Sequence, residues 1–125
     1  MRIVYDYPPY KRALKAMWPL WNGRCVCAVD ERGILGGGGF DRVREGQTHA
    51  YILGIRPVWA GREIYAAILR MPIEMGAETV FANCGDNKRS QAVCRQMHGI
   101  ELGAGRFKWG KEELLKRAKE IENAS

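Results

Sequence analysis

The stretch from His49 to Gly76, HAYILGIRPVWAGREIYAAILRMPIEMG, constrains the fold more than any other part of the chain. His49–Ile55 reads as an apolar strand, and Ile64, Ala67, Ile68 and Met71 then recur at helical spacing in a segment from Gly61 to Met75. A helix that starts where a strand stops leaves its first backbone N–H groups unpaired, at the positive end of its dipole. Such a junction is an anion site. The alternation then repeats, with Thr79–Asn83 as a second strand and Lys88–His98 as a second helix, capped by Asp86-Asn87 and stopped by Gly99.

This βαβα order resembles the core of the GNAT superfamily, the acyl-CoA-dependent N-acyltransferases. The resemblance covers roughly residues 45 to 110 and implies an α/β (α+β) fold, a mixed and mostly antiparallel sheet flanked by helices. It also implies that the pantetheine arm of acetyl-CoA lies between the two strands and the pyrophosphate on the first helix. In the family the phosphate turn reads Q/R-x-x-G-x-G/A. The register set by Arg56-Pro57 and by Ile64 places Ala60-Gly61-Arg62-Glu63-Ile64-Tyr65 on that turn. By this resemblance the cofactor-binding positions are Ile55, Ala60, Gly61, Arg62, Glu63, Ile64, Tyr65 and Asn87. Glu63 and Tyr65 stand where the family has glycine, whose bare backbone approaches phosphate closely. A carboxylate repels phosphate and a phenol ring fills its space, so acetyl-CoA binding is expected to be weak or absent. Asp86-Asn87-Lys88-Arg89-Ser90 and Gly99-Ile100 fit the start and end of the family's fourth helix.

The 125 residues, 46% of them hydrophobic, are expected to form one domain with its core in residues 24–110 and an added helix over 111–124. No apolar window is long enough to span a bilayer, and Met1–Asp6 lacks the apolar core of a signal peptide. The expectation is a soluble protein of the host-cell cytoplasm with no membrane partner. The four cysteines, Cys25, Cys27, Cys84 and Cys94, sit in apolar runs and read as reduced core thiols, with no metal site expected.

Arg2–Tyr7 alternates as a first strand, and Tyr10–Leu20 follows as an amphipathic helix whose first turn Pro8-Pro9 pre-sets. Arg24–Asp30 and Ile34–Arg44 form a hairpin across Asp30–Gly33, with Cys25, Cys27 and Val29 on one face. The run Gly36-Gly37-Gly38-Gly39 belongs to the returning strand and lets a helix or ligand approach, since no lysine and hydroxyl follow it as in a P-loop. Pro72 should kink or end its helix. Ile100–Leu102 and Arg106–Trp109 close the sheet, and Lys111–Glu122 is a charged helix with Leu114, Leu115, Ala118 and Ile121 on its apolar side.

Acyl transfer to an amine needs a base for the ammonium and an acid for the thiolate. The strand before the turn carries no carboxylate, and His49 is its one imidazole, either a general base or a solvated strand-end residue. Cys94 falls where the resemblance implies the proton donor of the fourth helix, and is either that donor or a core thiol.

Two functions follow. The altered turn is similar to that of small GNAT-like virion-associated or head-assembly proteins of tailed phages. This implies a phage-encoded protein with little or no catalysis, located in the host cell or the virion. Its partners would be virion proteins or a second copy, joined through the sheet edge after residue 100 or the C-terminal helix. The alternative is an active acetyl-CoA-dependent N-acetyltransferase built on Gly61, Arg62 and the N–H groups of residues 61 to 65. Nucleic acid stands third, resting on a net charge of +6 spread over scattered lysines and arginines.

Overall fold

The computed structural model describes residues 1–56 and 62–124. Its strands are β1 (Arg2–Tyr5), β2 (Gly23–Asp30), β3 (Gly33–Asp41), β4 (Gln47–Gly54), β5 (Thr79–Asn83), β6 (Ile100–Gly103) and β7 (Arg106–Gly110). Its helices are α1 (Pro8–Met17), α2 (Arg62–Glu74), α3 (Lys88–Gln96) and α4 (Lys111–Asn123). The strands form one sheet in the order β1-β2-β3-β4-β5-β7-β6. Every neighbouring pair is antiparallel except β4 and β5, which run parallel. Parallel neighbours need a long crossover, and α2 lies on that connection.

Alternation along β2 divides the core into two layers. Cys25, Cys27 and Val29 pack with Tyr10 and Leu14 of α1 and with Trp21. Val26 and Ala28 point the other way, into the cluster holding Ile64, Ile68 and Met71 of α2 and Leu114, Ala118 and Ile121 of α4. The apolar side of α4 therefore lies on the domain, where Arg70 of α2 also forks onto Glu122 at 2.6 and 2.8 Å. Gly39 is required on the α1 face, because a Cβ there would stand 2.8 Å from Leu14 Cδ1 and 3.1 Å from Trp21 Nε1. Tyr10, fully buried, donates its hydroxyl to the Leu53 carbonyl at 2.8 Å and so ties α1 to β4.

Several ends differ from the expectation. β1 stops at Tyr5 and α1 runs from Pro8 to Met17, two prolines supplying its first turn. The Trp18 N–H closes on the Leu14 carbonyl at 2.8 Å, and Pro19, with no N–H to give, cannot extend the helix to Leu20. β3 ends at Asp41 rather than Arg44. Pro72 sits inside α2 without ending it there. The stop comes one turn later, where the Ala77 N–H bonds to the Pro72 carbonyl and the Gly76 N–H to Ile73, with Gly76 at φ +91°. α3 ends the same way, but its left-handed residue is His98, at φ +60°, and not Gly99. Gly99 answers to space instead: a Cβ there would lie 2.6 Å from Trp109 Cζ2.

Candidate active site

β4 and β5 lie side by side only along their first residues. Gln47, Thr48, His49 and Ala50 face Thr79, Val80, Phe81 and Ala82, and there the pairing ends while β4 continues to Gly54. On its other edge β4 stays paired with β3 out to Gly54 opposite Gly36. The 3.0 Å bond from the Ile55 N–H to the Leu35 carbonyl sets the parity of that ladder. Peptide groups of Tyr51 and Leu53 face β3, and those of Ile52 and Gly54 face the widening gap. β5 is turned away by local chemistry. The Asn83 carboxamide accepts the Gly85 N–H at 3.1 Å, Gly85 takes φ +50°, and the Cys84 N–H bonds to the Gly105 carbonyl at 2.8 Å. The resulting fork holds a cavity of about 470 Å³ walled by Trp18, Tyr51, Ile52, Cys84, Asn87 and Ser90.

A second cavity of about 410 Å³ adjoins it, lined by Leu20, Asn22, Asp41, Arg42 and Arg44, and His49 lines both. The two are also joined through a hydrogen bond. Tyr51, on the fork side, donates its hydroxyl to Asp41 Oδ2 at 2.8 Å. Burial, then the adjacent Asp41 carboxylate, push the Tyr51 phenol up to about 12. Asp41 is held in turn by Thr48, whose hydroxyl donates to the Asp41 carbonyl at 2.6 Å. The second carboxylate oxygen of Asp41 takes no hydrogen bond from the described residues. Trp18 lies against the Tyr51 ring at 5.1 Å between centroids, and His49 lies against Phe81 at 5.8 Å.

The residues singled out from sequence fall in different places. His49 is exposed and sits where the cavities meet. Asn87 caps α3, accepting the Ser90 N–H at 3.1 Å, and walls the fork. Cys94 is fully buried, 3.5 Å from Cys84 Sγ, and burial pushes its thiol well above the usual range. It is Cys84, half-buried, that reaches the fork. The Ile55 N–H is taken by β3. Ile64 is core. Glu63 is exposed in the first turn of α2, whereas the Tyr65 ring is half-buried and lines a hollow against Arg117 and Ile121 of α4, away from the fork. Ala60 and Gly61 lie outside the described residues, as does the side chain of Arg62. Among the described residues no cluster could hold a metal ion, and no helix is long and apolar enough to cross a membrane.

Asp41 and Tyr51 were not identified from sequence. Tyr51 could have been found by the strand's period of two, which puts it on the same face as His49. Asp41 had no such signal, since it lies on a different strand and is brought in only by the β3–β4 register.

No protein-family model matches the chain, and no curated protein matches it in sequence. Three solved acetyltransferase structures share its architecture. A candidate acetyltransferase from T. thermophilus aligns with a TM-score of 0.67 and 16% identity, over 90% of this chain and 72% of its own. The ribosomal-protein-alanine N-acetyltransferase from Brucella melitensis aligns at 0.64 and 14% identity, over 88% of this chain and 99% of its own. The candidate acetyltransferase yncA from Salmonella typhimurium, solved with its cofactor acetyl-CoA, aligns at 0.54 and 12% identity, over 82% and 73%. The fold is the GNAT fold, a seven-stranded, mostly antiparallel sheet with helices on both faces.

Proposed function

We propose that the chain is an acyl-CoA-dependent N-acyltransferase whose cofactor cleft is the fork between β4 and β5. One observation carries this reading: an interior strand edge, open at Ile52 and Gly54, faces a cavity of about 470 Å³ at Ile52 and one of about 350 Å³ at Gly54. Unpaired peptide groups on an extended strand recognise another extended, amide-bearing chain. The pantetheine arm has that character. Acyl-CoA supplies the thioester from which an amine takes its acyl group.

The residues of the chain divide the proton work between two sides. Asp41 presents its second oxygen to the adjoining cavity, where it takes the proton of an amine. Tyr51 stays protonated at neutral pH, its phenol on the fork side and its one hydrogen donated to Asp41 Oδ2 at 2.8 Å. Once Asp41 has taken a proton the bond reverses, Asp41 donating to the phenol oxygen, and the phenol hydrogen is released toward the fork. His49, at the junction, is placed to orient the amine. Trp18, packed on Tyr51, covers the pair from the α1 side.

The bulk of Tyr65 is directed toward α4 and leaves the fork clear. Glu63 remains in the first turn of α2, where its charge opposes a bound phosphate. Calorimetric titration tests the reading. Acetyl-CoA is expected to bind with a Kd of about a micromolar, and Glu63→Gln to tighten it. No heat and no shift in Tm at about a millimolar acetyl-CoA would overturn it.

A second reading, a phage virion-associated or assembly protein that keeps the fold with little catalysis, is favoured by that same Glu63 carboxylate. It expects acetyl-CoA binding without turnover, or none, and a gene flanked by capsid and portal genes.

A further inference from the structure

We propose that the second cavity is built for a small amine that also carries an anionic group, the charge pattern of a free amino acid. This rests on the acyltransferase reading and names its acceptor. The cavity, about 410 Å³, is lined by one acidic residue, Asp41, and by two arginines, Arg42 and Arg44. Asp41 is half-buried and fixed at both its carbonyl and one carboxylate oxygen, and it lines the cavity with its remaining oxygen taking no hydrogen bond from the described residues. An ammonium is the natural partner of that oxygen.

Arg42 and Arg44 supply the opposite charge. Four other arginines close on carboxylates, Arg24 on Asp6, Arg56 on Asp30, Arg70 on Glu122 and Arg95 on Glu101. Arg42 and Arg44 line the cavity with no carboxylate partner among the described residues. Their backbone is tied down, the Arg42 N–H to the Asn22 carbonyl at 3.1 Å, and Arg44 and Gln47 to each other in both directions at 2.9 Å. The guanidiniums therefore spring from a fixed rim and match a carboxylate or similar anion in forked geometry. Leu20, 97% exposed, stands at the same cavity and offers an apolar contact to the acceptor's side chain. The α-amine of a polypeptide has no carboxylate beside it and would leave both guanidiniums unused.

The test compares a panel of free amino acids with the matching amino acid amides, as acceptors with acetyl-CoA and, separately, as ligands in calorimetry without cofactor. At least one free amino acid is expected to exceed its amide by about tenfold or more in kcat/KM and in affinity. In the Arg42→Gln/Arg44→Gln double variant that ratio falls to about one, the loss residing in KM. Amides accepted as well as or better than every acid, or a ratio that survives the double variant, would overturn the inference. The calorimetry stands whether or not acetyl-CoA binds. Selective binding of amino acids without acetyl-CoA binding would sink only the acyltransferase reading, and turnover with amides preferred would sink only this one.

Discussion

Replacing Tyr51 by Phe separates chemistry from architecture, because the two predict losses of different size. The ring stays, so packing against Trp18 is kept and only the hydroxyl bonded to Asp41 at 2.8 Å is removed. A hydrogen bond to a charged group contributes about 1.5–3 kcal/mol when well buried. Tyr51 is only half-buried and partly screened by solvent, so a stability loss nearer 1 kcal/mol is expected in urea. A positioned proton donor contributes about a hundred- to ten-thousandfold to rate. That corresponds to about 2.7–5.5 kcal/mol of barrier. Hence kcat should fall by at least a hundredfold in a protein that unfolds almost where the parent does. Free CoA is best followed by chromatography, since Cys84, half-buried at the fork, is within reach of a thiol reagent. A Tyr51→Phe variant that keeps its kcat within about threefold would show that the phenol has no part in proton transfer.

Three further outcomes are expected. Gly99→Ala places a methyl 2.6 Å from Trp109 Cζ2, and Trp109 is pinned by its Nε1–H to the Met97 carbonyl, so urea unfolding should show a loss of about 1–3 kcal/mol. A wild-type midpoint in that variant would mean that the close approach is absent. Asn87→Ala removes the α3 cap and costs about 1 kcal/mol, whereas Asn87→Asp restores most of it; equal stability of all three would exclude the cap. Stability should also be lost in alkali. Burial raises the Cys27 thiol from an ordinary 9.0 to about 12, and burial with Asp41 raises Tyr51 from 10.0 to about 12. Groups raised in the folded state contribute fully below their ordinary values and lose that contribution as pH climbs to the folded ones. The Tm should hold up to about pH 9 and decline toward pH 12, and a flat Tm over that interval would contradict the burial of these groups.

Much of the fold could be read from local pattern. Strand β5 carries the expected ends, Thr79 and Asn83, and β2, the start of β3 and α4 lie within a residue of theirs, because alternation, Gly33 and the apolar spacing of Leu114, Ala118 and Ile121 are local signals. Ends decided by tertiary space were harder. His98 bears the positive φ because the adjacent glycine is required by Trp109, ten residues on, and no neighbour in sequence announces that. The site divides in the same way. His49 and Asn87 belong to a strand and a cap that sequence locates, and both reach the fork. Cys94, by contrast, shares its helix with Ser90 yet points to the core, which a position on a helix does not reveal without knowing which side faces the sheet. Asp41 depends on the pairing of Phe40 with Ala50, a long-range register.

An ordinary open sheet has two rims; this one has a third, running through its middle from Ile52 to Gly54. The amide protons of those two residues should therefore trade with solvent deuterium almost as fast as those of a loop, although their strand is flanked on both sides. Whatever settles in the fork completes the sheet and slows that exchange at both positions together, so a mass spectrometer could report occupancy before any substrate is known.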